Sequence, residues 1–239
     1  MGAGMTREYH AWHSPSLDRQ MELLVFGYGG EPVIVFPTSC GRFYEWEDFG
    51  MKGALHDKLV NGRVQLFCLD SVDEESFYAK HQPVPSRLAR DDAYDRYVLS
   101  EIVPFIRHRN HGGITLTGTS FGAYHAVDKG LRHPDVYAKV VAMSGAFDLE
   151  RFLDGDTSSG AHVRLPLSYL PRLEDAWFLE HIRRQNLILA VGDQDFLLGE
   201  SCRLSDALTV KSVAHTLDVW TGYPHDWPAW REMVKKHLG

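Results

Sequence analysis

Cysteine is scarce in this sequence: Cys40, Cys68 and Cys202 are the only three in 239 residues, and no CxxC or CxxH spacing joins them. An odd, dispersed set excludes a disulfide framework and a zinc knuckle, and reduced thiols point to a cytosolic home. Long apolar runs are missing too. Val33 to Phe36 and Leu187 to Val191 are among the longest, far short of the roughly 20 residues that span a bilayer. Positive charge is outnumbered, with 25 Lys and Arg against 32 Asp and Glu and a net charge of −7. That balance disfavours nucleic acid and anionic lipid as partners. Met1 to Thr6 formally fits the MGxxx[ST] acylation pattern, yet the polar stretch Thr6 to His10 makes neither a signal peptide nor a basic anchor. HExxH, EF-hand and P-loop patterns, internal repeats and low-complexity tracts are all lacking, so the chemistry calls for no metal or cofactor.

What is present is an ordinary globular composition, 44% hydrophobic and 24% charged. The length suits one domain, since single cores stop growing only near roughly 250 residues; residues 1–239 are expected to form it. Short apolar runs recur at Met21 to Phe26, Val33 to Phe36, Val64 to Leu69, Ile114 to Thr117, Val140 to Met143, Leu187 to Val191 and Thr216 to Trp220. Several are apolar almost throughout, as strands covered on both faces by helices must be. The pattern is that of an α/β layered sheet. Gly27, Tyr28, Gly29 and Gly30 between the first two runs predict an antiparallel hairpin at one edge. Tyr94, Tyr97, Val98, Ile102, Phe105 and Ile106 fall on one face of a crossover helix over Asp91 to Asn110, kinked where Pro104 removes a backbone bond. Phe121 to His133 predicts the next helix, and Asp226 caps a last one whose Trp230, Met233 and Val234 face inward. Residues 148–184 form a polar insert, read as a minimal cap, with Gly155 to Gly160 as a loop within it.

The most informative residues are Gly118, Thr119, Ser120, Phe121 and Gly122, a GxSxG placed where an apolar strand ends and a helical period begins. A nucleophilic serine needs its hydroxyl exposed on a sharp strand-to-helix turn, and the flanking glycines relieve crowding in so tight a bend. The helix starting at Phe121 aims unpaired amides at developing negative charge, making the Phe121 N–H an oxyanion donor. Serine is a weak nucleophile at neutral pH, so a histidine must take its proton and a carboxylate must orient the imidazole. His225, in GYPHDW just after the last strand, is the candidate base; His125 and His215 read as structural. After the preceding strand, GDQDFL supplies two carboxylates. Asp195 lies further into the turn and is preferred, while Asp193 is suited to bonding loop amides. The order Ser120, Asp195, His225 matches that of α/β hydrolases. Phe43, Tyr44, Trp46, Phe121 and Tyr169 read as core, with an aromatic-lined acyl or alcohol pocket as the alternative. Asp70 to Glu75 reads as a solvated loop.

With GTSFGAYHA, LRHPDVYAKVVAMSGAFD, GDQDFLL and GYPHDWPAW, most of the chain resembles the α/β-hydrolase superfamily. Within it the likeness is to the "Putative esterase" group that includes esterase D (S-formylglutathione hydrolase) and the mycolyltransferases. That resemblance implies a mostly parallel eight-stranded sheet with helices on both faces. It also implies a Gly-x-x-Asp acid, which favours Asp195, and a second oxyanion amide in Phe36 to Gly41. There the usual LHGL or LDGL is replaced, so the amide is placed at Ser39 with Thr38 and Cys40 as alternatives; Pro37 has no N–H. The expected activity is hydrolysis of a small-molecule carboxylic ester or thioester through an acyl-enzyme. An acyltransferase with an alcohol acceptor, or a silent binding protein of the same fold, are the other readings.

Overall fold

Period-two alternation divides the apolar strand residues between two cores. Leu23, Ile34, Phe67, Leu116, Val140 and Leu189 bury themselves on one side of the sheet, and Leu24, Val33, Leu66, Val141 and Ile188 on the other. The computed structural model describes residues 6–156 and 164–239; Met1 to Gly4 and Met5 of the acylation pattern, and most of Gly155 to Gly160, lie outside them. Eight strands run in the order β1 (Arg7–Ser14), β2 (Arg19–Phe26), β4 (Val64–Leu69), β3 (Glu31–Phe36), β5 (Ile114–Thr119), β6 (Tyr137–Met143), β7 (Asn186–Gly192) and β8 (His215–Trp220). From β4 to β8 all neighbours are parallel, while β1 and β2 add an antiparallel edge.

That edge differs from the expected one. β2 and β3 are not a hairpin, because β4 lies between them. Gly27 and Gly30 do have left-handed φ values of 81° and 84°, but they serve a close approach. A Cβ on Gly27 would stand 2.7 Å from the Val64 carbonyl oxygen, and one on Gly30 would collide with the Arg63 backbone. The connection thus slides past the start of β4. The true hairpin partner of β2 is β1, whose alternating half-exposed residues carry too little apolar signal to stand out. β1 is fastened instead by polarity: Glu101 accepts from the Trp12 indole at 2.8 Å, the Ser14 hydroxyl at 2.7 Å and the Ser16 amide at 3.1 Å.

Three short helical turns, α1 (Glu45–Asp48), α2 (Met51–Ala54) and α3 (His56–Val60), come after β3. The crossover helix begins earlier than Asp91, as α4 (Val84–Tyr97), and reaches α5 (Val103–Arg109) through a π-turn over Val98–Ile102. Pro104 would set its ring against the Ser100 carbonyl in a regular helix; the widened turn just before it relieves that clash. α6 (Phe121–Arg132) is buried almost along its whole length, including His125, Asp128 and Lys129. The described part of segment 148–184 holds α7 (Pro166–Tyr169) and α8 (Ala176–Ile182). After them come α9 (Leu198–Val210) and α10 (Trp227–His237). Asp226 caps α10 by accepting from the Trp227 amide at 2.7 Å, and Trp230, Met233 and Val234 face the sheet. Among the described residues no helix is long and apolar enough to cross a membrane.

Burial alone would raise the Glu101 carboxyl pKa, but the bonds from Trp12, Ser14 and Ser16 outweigh it and hold the value below the usual range. A depressed carboxylate contributes stability above its unfolded pKa of about 4.3, and loses it as pH falls through the folded value. Glu101→Ala should therefore lower the melting temperature at pH 7, and the gap to wild type should narrow on acidification. Thermal unfolding measured across pH 3 to 7 checks this; a gap that is constant or grows in acid contradicts it.

Candidate active site

Ser120 sits between β5 and α6 with φ 56° and ψ −118°, a left-handed conformation that costs a non-glycine residue about 1–3 kcal/mol. Its surroundings enforce it. The Ser120 N–H donates to Met143 O at 3.0 Å, and its carbonyl accepts from Ala123 at 3.1 Å and Ala146 at 3.2 Å. Gly118 and Gly122 are required by contact: a Cβ on the first would strike the Gly122 backbone, and one on the second the Phe36 and Pro37 carbonyl oxygens. The same close fit presses the start of α6 against the loop that leaves β3.

The other two candidates come from the ends of β7 and β8. Their loops are stitched by backbone bonds, Asp193 N to Trp220 O at 3.0 Å and Gln194 N to Tyr223 O at 3.2 Å. A Cβ on Gly192 would overlap the Tyr223 carbonyl, so only glycine lets the loops meet. Asp193 lies on the outside and accepts from the Gly222 amide at 2.7 Å. Asp195 points inward: both its oxygens lie 3.0 Å from His225 Nδ1, and His225 Nε2 lies 3.1 Å from Ser120 Oγ. Burial pushes the Asp195 pKa up, but bonds from His225, the Ser144 hydroxyl and the Leu197 amide hold it below the ordinary carboxylate value. It therefore stays ionised beside the imidazole. His225 is edge-on to Trp230 at 4.9 Å, and Phe196, 76% exposed, lies 4.5 Å from its ring.

In the β3 loop, the Thr38 N–H donates to Glu45 at 2.7 Å, the Cys40 N–H to Asp73 at 3.0 Å and the Gly41 N–H to Thr38 O at 2.9 Å. Within residues 38–41, only the Ser39 N–H lacks an acceptor among the described residues. Tyr78 connects this loop to α6, donating to Ser39 Oγ at 2.8 Å while its ring packs 5.5 Å from that of Phe121. The first N–H of α6, on Phe121, is one of the donors a helix leaves free at its start.

These elements fit one family. The family described as "Putative esterase" matches residues 16–238. The chain belongs to it and is a serine esterase. No curated protein matches the chain. Among solved structures, this esterase is similar to a ferulic acid esterase (18% identity, TM-score 0.79, covering 98% of this chain and 96% of that one). It is also similar to S-formylglutathione hydrolases from Staphylococcus aureus (16%, 0.71, 98% and 96%) and Agrobacterium tumefaciens (14%, 0.75, 98% and 93%). At such identities the likeness establishes the fold, the α/β-hydrolase fold.

Two residues near the site carry no local signal of a role there. Ser144, buried at the end of β6 with φ 52°, bonds Asp195 and accepts from the Trp230 indole at 2.9 Å. Trp230 reads from its spacing simply as core; the available signal is its N–H, which needs an acceptor once buried. Asp70 to Glu75 departs from a solvated loop, since Asp70 and Asp73 are fully buried while Glu74 and Glu75 are exposed. Burial, with Asp73 and Glu74 nearby, pushes the Cys40 thiol up to about 11, so it stays protonated at neutral pH. Among the described residues no group of three or more His, Cys, Asp or Glu side chains is arranged to hold a metal ion.

Gly192→Ala should force the acid and histidine loops apart. Overpacking of this kind costs about 1–3 kcal/mol or more, so the melting temperature should fall and esterase activity should drop at least about tenfold. Unchanged activity in a folded variant would show that the two loops need not touch.

Proposed function

We propose that this esterase cleaves carboxylic ester or thioester bonds of small molecules through an acyl-enzyme, with Ser120 as nucleophile, His225 as base and then acid, and Asp195 orienting the imidazole. The observation that carries this reading is the unbroken chain of contacts at 3.1 and 3.0 Å joining side chains from the ends of β5, β7 and β8. With Asp195 ionised, the proton of the neutral imidazole resides on Nδ1 and Nε2 is free to accept. Ser120 Oγ attacks the carbonyl carbon as its proton passes to Nε2. The oxyanion then faces the amides of Phe121 and Ser39. Collapse expels the alcohol or thiol, which takes the proton from Nε2. Water repeats the sequence on the acyl-enzyme and releases the acid. Selecting Ser39 over Thr38 and Cys40 rests on the neighbouring amides being occupied.

Residues 1–239 are read as one hydrolase domain in which 148–184 acts as a small cap. Supporting this, Phe152 of that segment packs 5.8 Å from Phe121, the residue beside Ser120, and 4.9 Å from Tyr78.

Ser120→Ala should lower kcat on a p-nitrophenyl ester by about 10⁴ to 10⁶ and abolish labelling by a fluorophosphonate, and Asp195→Asn should cost about 10⁴. Wild-type turnover in the serine variant would refute the nucleophile. Ser39 stands second in a turn whose third residue, Cys40, has φ 56°, a position where proline is at home. Ser39→Pro therefore removes the N–H while suiting the turn, and should lower kcat about 10² to 10³. Ser39→Ala keeps the donor and should lose at least about tenfold less; equal losses would show that the amide is not used.

A further inference from the structure

Asp73 and His125 are fully buried and lie apart from the Ser120, His225 and Asp195 chain. Asp73 Oδ2 accepts the Cys40 N–H at 3.0 Å, and Oδ1 lies 2.9 Å from His125 Nε2. His125 stands one turn beyond Phe121 on α6, with its ring 5.2 Å from the Phe121 ring. One turn further, Lys129 Nζ lies 3.5 Å from His125 Nδ1. An ammonium can only donate, so Nδ1 accepts and the imidazole proton sits on Nε2, directed at Asp73. On the opposite flank of Ser39, the Glu45 carboxylate accepts the Thr38 N–H at 2.7 Å and the Thr38 hydroxyl at 2.6 Å. It occupies space that a Cβ on Gly41 would enter, 2.7 Å from Oε1. The amides on both sides of Ser39 are thus anchored to carboxylates.

We infer that Asp73 and His125 are positioning residues of the oxyanion pocket, tying the loop that presents the Ser39 amide to the helix that presents the Phe121 amide. The inference rests on the reading of Ser39 N–H as the second donor. The loop and α6 extend from the neighbouring strands β3 and β5, and where they leave the sheet the fit of Gly122 against the Phe36 and Pro37 carbonyls sets their separation by backbone. The link from Cys40 through Asp73 to His125 sets it by side chains, on the same face of α6 that begins with the other donor. A displacement of about 1 Å at such a donor can cost a hundredfold in rate.

Asparagine offers one acceptor and one donor where aspartate offers two acceptors, so it cannot take both the Cys40 and His125 protons. Asp73→Asn should lower kcat on a p-nitrophenyl ester about tenfold to a hundredfold with KM within about threefold. It should weaken binding of a boronic acid that mimics the tetrahedral intermediate by a similar factor. In Asp73→Asn/Lys129→Met the imidazole proton can move to Nδ1, so Nε2 can accept from the new amide, and at least half the loss should be recovered on a logarithmic scale. If Ser39→Pro leaves kcat intact, the donor reading fails and this inference falls with it. If Ser39→Pro lowers kcat but a folded Asp73→Asn stays within twofold of wild type, only the positioning role is overturned. A fall matched by an equal rise in KM, with no recovery in the double variant, also overturns it. Should Asp73→Asn fail to fold, amide exchange in the wild-type protein by NMR decides: a protected Cys40 amide beside a rapidly exchanging Ser39 amide supports the tie, and equally rapid exchange at both removes it.

Discussion

The left-handed backbone at Ser120 is the constraint on which the rest of the structure depends. A hydroxyl carried on relaxed backbone at the end of β5 would point along the strand or into a helix turn. Held at φ 56°, it stands clear of both and faces His225. Keeping it there takes three backbone bonds to Ser120 and two glycines with no room for a Cβ. The contact between Gly122 and the Phe36 and Pro37 carbonyls also draws the β3 loop in beside the serine. One tight fit therefore positions both Ser120 and the loop that carries Ser39.

Charge around this point is governed by burial and by the donors each carboxylate can reach. Burial pushes the Glu45 carboxyl up, which its bonds to Thr38 oppose only in part. The Asp195 carboxyl is held down by His225, Ser144 and Leu197 despite burial. Part of the difference comes from the partners: Asp195 gathers bonds from three residues, whereas Glu45 has two neutral donors of one threonine and a neighbouring acid, Asp73. Ionisation near the site is thus set by burial together with the hydrogens each carboxylate collects.

Much of this is legible in the sequence because it is written in local patterns. Every central strand announces itself as an apolar run, and Ser120, Asp195 and His225 each lie just beyond such a run. Asp193 and Asp195 can be ranked because one lies at the strand's edge and the other inside the turn. The hidden features depend on long-range pairing. β1 holds its place through Glu101, 85 to 89 positions away in sequence, and its own residues alternate too weakly to mark a strand. The glycines at 27 and 30 look like a hairpin because close approach and tight turning select the same residue. Asp73 looks solvated because its neighbours are acidic and exposed; its partners, Cys40 and His125, lie on other segments, and no local spacing connects them.

The stitching of the loops after β7 and β8 has a consequence for thermal motion. Asp195 and His225 ride on segments bonded backbone to backbone, so fluctuations of one carry the other and their mutual distance is insulated from breathing of the sheet. Between this pair and Ser120 the direct side-chain contact is the 3.1 Å approach of His225 Nε2 to Oγ; the other tie runs through the end of β6, which bonds Ser120 by backbone and Asp195 through the Ser144 hydroxyl. On warming, the imidazole and carboxylate should travel as one body, and it is loosening at the end of β6 that would let the hydroxyl part from them.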